Sequence, residues 1–304
     1  MAIANGKIGY VPPIEELENP TLKFATQIIS DDGVVMGTYS LDDDNRIYVG
    51  YEDLSPHLVH ALIATEDERF AEHSGIDARA LLRAIIKRGV LLQKSAGGGS
   101  TITQQLAKQL YTEELANSLW ERAMQKPIEW VIAVKLEKYY TKEEILTMYL
   151  NKFDFLYNAD GIKMASNTYF SKEPKDLNVL EAATLVGMCK NPSYYNPRRF
   201  NERARGRRNV VIGQMQRAGH LTPAEADSLK KEPLVLKYRK VDHKEGMATY
   251  FREYLRGVMT AKEPNKKDYR GWQMQKYYED SLAWETDPLF GWCNKNKKKD
   301  GSNY

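Results

Sequence analysis

Residues 55–70 read SPHLVHALIATEDERF, and this stretch decides the fold class because its apolar positions recur with the period of an α-helix. Leu58, Leu62, Glu66 and Phe70 follow one another at intervals of four, so they are predicted to share one helix face. The Ser-Pro pair just before them is a common helix start. Similar patterns continue to about residue 231. The sequence therefore predicts a mainly α fold for this long middle part.

The chain has 304 residues, of which 42% are hydrophobic and 28% charged, a balance typical of a globular protein with a sizeable core. Its formal net charge is only +3, so affinity for anions has to come from local clusters of basic residues. Two cysteines, Cys189 and Cys293, exclude a disulfide framework and a cysteine-rich zinc site. Because no long apolar run and no signal peptide occur, we expect that the chain as given neither spans a membrane nor exports itself.

Turn and capping signals divide the chain into three predicted parts. Asp32-Gly33 lies between two short β-type runs and predicts a small hairpin within residues 24–51. Capping boxes at residues 141–144 and 222–225 mark helix starts in the helical middle, and the signals weaken after Pro233. The predicted parts are listed in chain order: an N-terminal linker with the hairpin at 1–54, a main domain at 55–233, and a second linker at 234–304.

Two stretches concentrate basic residues. Residues 78–110 hold six Lys or Arg and no acidic residue, and residues 187–217 hold eight against Glu202 alone. The glycines and hydroxyls at 97–101 precede an apparent helix, whose backbone NH groups could bind a phosphate. A nucleotide P-loop is disfavoured because Gly99 stands where that motif requires lysine. Solvated helix faces and a mobile glycine loop are the alternatives, and no nucleic-acid motif accompanies either stretch.

Two glutamates stand out by their predicted surroundings. Glu66 lies on the apolar stripe, where a carboxylate held away from water binds a proton more tightly and suits proton transfer near neutral pH. Glu129 lies three residues after Lys126 and shares a face with it if the helix continues through Pro127. Two carboxyls in opposed surroundings suggest an acid/base division of labour. The alternatives are a glutamate at the edge of the stripe and an ordinary surface salt bridge.

A series of short motifs follows in a fixed order between residues 55 and 218. They are EDERFAEHSG (66–75), GGSTITQQLAK (98–108), KPIE (126–129), TKEEILTMYLN (141–151), GI (161–162), YFSK (169–172), EAA (181–183) and NPSYYNP (191–197). Together they resemble the peptidoglycan glycosyltransferases of glycosyltransferase family 51, the lipid II polymerising domain of bifunctional class A penicillin-binding proteins.

This resemblance implies a mainly α fold with a lysozyme-like large lobe, a small membrane-facing jaw lobe and an active cleft between them. It implies that Glu66 is the general base and that Glu129 acts with neighbouring cations near a departing diphosphate. It further assigns twelve positions to substrate binding: Asp67, Phe70, His73, Ser100, Thr101, Thr103, Gln104, Gln105, Lys108, Lys126, Asn151 and Lys190. Gln125, Pro127 and Leu156 depart from the family pattern, Leu156 by replacing a usual glycine.

The expected reaction polymerises lipid II into β-1,4-linked glycan strands, with inversion at the anomeric carbon and release of undecaprenyl diphosphate. The resemblance implies lipid II, the growing glycan strand, moenomycin-type inhibitors and the membrane surface as partners, the last through the jaw segment 81–93, and no nucleic acid. It implies the extracytoplasmic face of the cytoplasmic membrane as location, with this chain truncated between an anchor and a transpeptidase domain. We expect no structural metal, and Mg or Mn remains open as a cofactor.

Two other functions remain open from the residues alone. A lysozyme-type enzyme that cleaves finished peptidoglycan also uses one buried glutamate on a helical fold. A non-catalytic module could bind anionic lipid through the basic stretches 78–110 and 187–217. Loss of Glu66 separates these classes, because either enzyme depends on it and a binding module does not.

Overall fold

A computed structural model describes residues 26–33, 35–39, 46–86, 99–111, 119–239 and 248–296, together with Pro12 and Leu17. The chain divides into two compact units. The large unit comprises Met1–Ala25 and Ser40–Val241, and the small unit comprises Thr26–Tyr39 and Asp242–Tyr304. The predicted boundaries at 54 and 233 stay a prediction.

The large unit is built from helices. They are α1 (Pro56–Glu66), α2 (Ala78–Ile85), α3 (Ile102–Tyr111), α4 (Leu119–Tyr139), α5 (Lys142–Lys152), α6 (Gly161–Phe170), α7 (Val179–Cys189), α8 (Asn201–Arg217) and α9 (Pro223–Lys231). Short 3-10 turns lie at Tyr51–Asp53, Phe70–Glu72 and Pro174–Asp176. The mainly α prediction is confirmed. Among the described residues, no helix is both long and apolar enough to cross a bilayer.

Helix starts follow the predicted capping chemistry. Ser55 caps α1 through its side chain, with proline in the first helical position. Thr141 and Thr222 each form a complete capping box with the glutamate three residues on, at the starts of α5 and α9. The helix α4 continues through Pro127, as the proposed pairing of Lys126 with Glu129 requires.

Two layers of helix contacts form the core. The helix α1 packs on α7 and α8, while α3 packs on α4 and α5. Leu58 and Leu62 of α1 and Leu106 of α3 are completely buried. Each fully buried leucine contributes about 1.5–3 kcal/mol of transfer free energy relative to an exposed one. These contacts fix the C-terminal end of α1 beside α8, where the candidate site lies.

The predicted helix extends beyond the observed end of α1. That helix ends at Glu66, where Asp67 adopts φ −159° and ψ 73°, and Phe70 begins a separate 3-10 turn. Phe70 is buried, with 2% of its surface exposed, but the prediction that it continues the helix of Leu58 and Leu62 is wrong. The non-helical conformation of Asp67 breaks the helix between them, and this break leaves Glu66 in the last helical position.

The small unit contains the predicted hairpin and further helices. Strands β1 (Thr26–Ile29) and β2 (Val35–Tyr39) pair antiparallel, and Gly33 in their turn has a φ of 80° that favours glycine. The hairpin prediction is confirmed. The helices of this unit are α10 (Thr249–Met259), α11 (Met274–Thr286) and α12 (Trp292–Lys295). They lie in the stretch after Pro233 in which sequence signals were weak.

Candidate active site

A cleft of about 1970 Å³ opens in the large unit. Its walls come from the end of α1, the start of α3 and one face of α8. Eight of the residues that line it are predicted site residues: Glu66, Asp67, Ser100, Thr101, Gln105, Lys108, Lys126 and Lys190. The position of the cleft follows from the packing of α1 on α8, which brings the end of one helix to the basic face of the other.

Glu66 presents its carboxylate to this cleft with 15% of the side chain exposed. Oε2 accepts a hydrogen bond of 3.0 Å from Gln105 Nε2. Oε1 lies 3.7 Å from Nη2 of Arg207, an ion contact longer than a hydrogen bond. The carboxylate is therefore held on one oxygen and compensated in charge on the other.

Gln105 is itself held from behind. Its Oε1 accepts a hydrogen bond of 3.1 Å from the hydroxyl of Tyr149 on α5, and Tyr149 is completely buried. Burial raises the pKa of the Tyr149 hydroxyl well above its usual value, so this group stays protonated. Burial likewise raises the pKa of the Cys189 thiol, which lies in the same wall. Two neutral side chains thus stand behind Glu66.

Lys126 and Glu129 form the predicted pair on one face of α4. Lys126 Nζ lies 2.6 Å from Glu129 Oε2 and 3.4 Å from Ser100 Oγ. The Glu129 side chain is 2% exposed, whereas that of Lys126 is 51% exposed and lines the cleft. The lysine is therefore the member that meets solvent, and the glutamate orients it.

Asp67 and His73 tie the end of α1 to the start of α3. Both Asp67 oxygens lie 3.0 Å from His73 Nε2, and Oδ2 accepts from the backbone NH of Ile102 at 3.1 Å. Burial raises the pKa of Asp67, against the opposing effect of its hydrogen bond with His73. A carboxylate at a helix start also interacts favourably with the helix dipole. This pair therefore holds the first turn of α3.

Gly75 is the second anchor of α3. Its carbonyl accepts from Thr101 Oγ1 at 2.7 Å and from Gln104 Nε2 at 3.1 Å. Its φ is +89°, and a Cβ here would come within 2.8 Å of the Ala133 backbone on α4. Only glycine fits both the conformation and the close approach. Thr101 and Gln104 are buried and serve this junction.

Thr103 completes the junction from the next turn. Its Oγ1 donates to Glu137 Oε1 at 2.6 Å, and Lys142 Nζ donates to the same oxygen at 2.8 Å. Lys142 also donates to the carbonyl of His73 at 2.7 Å and lies 4.2 Å from the Phe70 ring centroid. We call Asp67, His73, Gly75, Thr101, Thr103 and Gln104 the junction.

Hydrogen bonds within the junction contradict the prediction that backbone NH groups in the motif at residues 98–108 bind a phosphate. The backbone NH groups at the start of α3 were a candidate phosphate site, but Ile102 N is bonded to Asp67 and Gln104 N to Thr101 Oγ1. These donors already have acceptors within the protein, so the first turn of α3 does not offer them to a phosphate. Gly97 and Gly98 lie outside the described residues.

Three further predicted positions lie in different places. Asn151 is buried and bonds both the backbone NH and the carbonyl of Val49, at 3.1 and 2.9 Å. It crosslinks α5 to the segment before α1 and does not line the cleft. Lys108 and Lys190 do line the cleft, and Lys190 Nζ lies 5.9 Å from the ring centroid of Tyr195.

In the jaw segment, Leu82 and Ile86 are exposed, and residues 87–93 lie outside the described part.

The arginines of the basic stretch 187–217 form two groups, according to the direction in which they point. Arg208 is buried and donates to the carbonyls of Glu232 and Pro233, and Arg205 donates to those of Lys231 and Glu232. Three arginines of the same helix line the cleft instead: Arg203, Arg207 and Arg217. We call these three the arginine wall.

The arginine wall was not among the predicted site residues. Its helical spacing was available as a signal, because positions four and fourteen residues after Arg203 lie on nearly one face of an α-helix. Thr65 and Gln109 were missed as well, and both line the cleft. Within the described residues, Thr65 Oγ1, Gln109 Oε1 and Arg207 Nε are buried without a hydrogen-bond partner. Such groups are costly unless a ligand completes them.

A strained loop follows the cleft-lining Asp154, after the end of α5. Leu156, Tyr157 and Asn158 have φ values of 66°, 58° and 57°, and a left-handed conformation costs a non-glycine residue about 1–2 kcal/mol. Phe155 and Ala159 close the loop with a backbone hydrogen bond of 3.0 Å. The departure of Leu156 from the usual glycine is therefore a departure at a position that favours glycine.

In the described part of the chain, no group of three or more His, Cys, Asp or Glu side chains is placed to hold a metal ion. His60 and His220 stack face to face, with ring centroids 4.1 Å apart and planes 8° apart. Burial, then the charges of His220 and His57, lower the pKa of His60.

The chain is similar to known proteins over most of its length. A family model described as transglycosylase matches residues 32–216. Penicillin-binding protein 1A of Vibrio cholerae is 36% identical over 85% of this chain and 30% of its own length. The corresponding values are 35%, 75% and 26% for penicillin-binding protein 1A of Escherichia coli, and 39%, 66% and 27% for penicillin-binding protein 1F of Bacillus subtilis. The chain thus spans less than a third of these curated relatives. Because the family model covers more than half of the chain, the protein belongs to the transglycosylase family.

Proposed function

We propose that this chain is a peptidoglycan glycosyltransferase that polymerises lipid II into β-1,4-linked glycan strands, with inversion at the anomeric carbon and release of undecaprenyl diphosphate. Its membership of the transglycosylase family and its similarity to penicillin-binding proteins support this activity. The observation that carries the proposal is the Glu66 carboxylate, held by Gln105 and facing a large cleft with cations on its walls.

Glu66 is the proposed general base. It removes the proton from the 4-hydroxyl of the acceptor sugar as that oxygen attacks the anomeric carbon of the donor sugar. The bond from this carbon to the diphosphate breaks as the new glycosidic bond forms, so the configuration inverts. A base needs a carboxylate within reach of the hydroxyl, and the partly exposed position of Glu66 in the cleft suits it.

The cations of the cleft are the proposed stabilisers of the leaving diphosphate. Fixed positive charges stabilise negative charge that develops in a transition state because they need little reorganisation. Lys126 is fixed by Glu129 and Ser100, and Arg207 lies beside Glu66. In this proposal Glu129 acts through Lys126, and Lys108, Lys190 and the rest of the arginine wall add charge.

The same proposal includes the location of the enzyme and its contact with the membrane. Lipid II and the growing strand would reach the cleft at the extracytoplasmic face of the cytoplasmic membrane, with segment 81–93 against the lipid. Exposed Leu82 and Ile86, with Arg83 on the same short segment, suit an interfacial position. A moenomycin-type phosphoglycolipid is expected to compete for the cleft.

The test is a polymerisation assay with purified lipid II in detergent, run with and without Mg or Mn and with EDTA. The parent is compared with Glu66→Gln and with the matched charge-loss control Glu143→Gln, on an exposed face of α5. We expect polymer from the parent and the control, and a rate for Glu66→Gln lower by a factor of about 10²–10⁴. Equal activity of Glu66→Gln and the parent would remove Glu66 as the base. Cleavage of finished strands without polymer would favour the lysozyme-type alternative.

A further inference from the structure

We infer that Gln105 is a positioning residue for Glu66, not a substrate ligand, and that Tyr149 fixes the orientation of the Gln105 amide. This inference rests on the proposed role of Glu66 as base. It replaces the role that sequence resemblance implied for Gln105. The side chain lines the cleft, but both ends of its amide are engaged by the protein.

The direction of the amide follows from its two partners. The NH2 group donates to Glu66 Oε2 at 3.0 Å, and the carbonyl oxygen accepts from the Tyr149 hydroxyl at 3.1 Å. A flipped amide would place its oxygen against the carboxylate, which offers no donor. With the NH2 group on Glu66, the carbonyl oxygen of Gln105 faces the Tyr149 hydroxyl, which burial keeps protonated and able to donate to it.

The Tyr149 anchor is rigid because of its place in the fold. Tyr149 lies on α5 and is completely buried, and α5 packs against α3, which carries Gln105. The contact therefore joins two packed helices and does not depend on a loop. A hydrogen bond to a charged group in such surroundings is stronger than one between neutral groups.

This arrangement distinguishes the two oxygens of Glu66. Gln105 donates to Oε2, while Oε1 lies 3.7 Å from Arg207 Nη2, beyond hydrogen-bond range. Oε1 is therefore the oxygen that takes the proton of the sugar hydroxyl, and Gln105 turns it towards the cleft.

The test separates positioning from ligand binding by the kinetic constants. Gln105→Met keeps the side-chain length without the amide, and Tyr149→Phe keeps the ring without the hydroxyl. We expect kcat for lipid II polymerisation to fall about 10-fold or more in Gln105→Met and about 3- to 10-fold in Tyr149→Phe, with KM unchanged within twofold. Tyr169→Phe is the matched control, because it also loses a buried hydroxyl, bonded to the carbonyl of Phe155. It should keep the parent kcat.

The double variant provides the decisive comparison. If Tyr149 acts through Gln105, Tyr149→Phe has no further effect on kcat in the Gln105→Met background. Additive losses, or a rise in KM at constant kcat, would overturn the inference while leaving the proposed base in place.

A readout that needs no substrate tests the geometry on its own. The side-chain amide resonances of Gln105 in the 15N-labelled chain should shift in both Glu66→Gln and Tyr149→Phe and stay fixed in Tyr169→Phe. Unchanged resonances in the first two variants would overturn the contact itself. A folded parent with these shifts but without polymer would instead contradict the proposed function, and with it the positioning role in that reaction.

Discussion

The junction and the arginine wall use polar side chains in opposite ways. The junction buries its polar groups and bonds them to one another, as Thr101 and Gln104 do on the carbonyl of Gly75. The arginine wall turns cations into the cleft, and Arg207 leaves its Nε unpartnered among the described residues. A residue of a predicted catalytic motif can therefore stabilise the packing of the helices, whereas cations that line the cleft can come from a helix outside the best-marked motifs.

The largest expected effect comes from breaking the junction at Gly75. Gly75→Ala should lower the free energy of unfolding by about 3 kcal/mol, because it strains a left-handed φ and drives a methyl group into the Ala133 backbone. Urea unfolding measures this loss. Gly219→Ala is the matched control, since its φ is +82° with nothing within 4 Å, and about 1 kcal/mol is expected there. Equal losses would show that close packing against α4 contributes nothing.

Substitution of an arginine in the arginine wall should lower activity without lowering stability. Arg207→Gln is expected to lower the polymerisation rate about a hundredfold, because it removes a fixed cation beside Glu66. Its melting temperature should stay close to that of the parent. Arg205→Gln, on the same helix but bonded to carbonyls near Lys231, should retain activity. An equal loss of polymerisation rate in Arg207→Gln and Arg205→Gln would mean that the effect depends on the net charge of the helix and not on the position of the arginine.

Removal of a single hydroxyl is a smaller perturbation of the junction. Thr103→Val keeps the shape of the side chain and removes the hydrogen bond to Glu137, so the free energy of unfolding should fall by about 1–2 kcal/mol. Ser100→Ala, which loses a contact with exposed Lys126, should change stability by less than about 0.5 kcal/mol. Chemical denaturation of both variants gives the comparison. A larger loss in Ser100→Ala would reverse the assignment of the two residues.

The smallest effect concerns the contact between α1 and the end of α8. The pKa of His60 is lowered in the folded state, so the unfolded chain binds a proton at this residue more readily. Stability from this group is present above the ordinary histidine pKa, near 6.5, and is lost as pH falls below it. We expect the unfolding free energy of His60→Phe to depend less steeply on pH between 7 and 5 than that of the parent. A steeper dependence would contradict the sign.

The helical class and the capping boxes were predictable because they depend on local periodicity and short-range hydrogen bonds. Thr141 and Thr222 cap their helices as expected, and Lys126 meets Glu129 because both lie three residues apart on one helix. The end of α1 was misplaced because Phe70 fits the same spacing without belonging to the helix.

Which polar residues belong to the junction and which belong to the arginine wall was not predictable in the same way. Whether Thr103 faces Glu137 or the cleft depends on how α3 packs against α4, and no short spacing records that contact. The same holds for Arg207, since the basic stretch contains eight cations and only the packing of α8 selects those that face Glu66. Asn151 resembles a substrate position but bonds Val49, a partner about a hundred residues away in sequence.

The most direct test of this division measures ligand affinity separately from turnover. Calorimetric titration with farnesyl diphosphate, a short polyprenyl diphosphate, would compare the parent with Thr103→Val and Arg207→Gln under conditions in which all three are folded. We expect the dissociation constant of Thr103→Val to stay within about twofold of the parent value and Arg207→Gln to bind about tenfold more weakly. Undiminished binding by Arg207→Gln together with a tenfold loss in Thr103→Val would contradict this division.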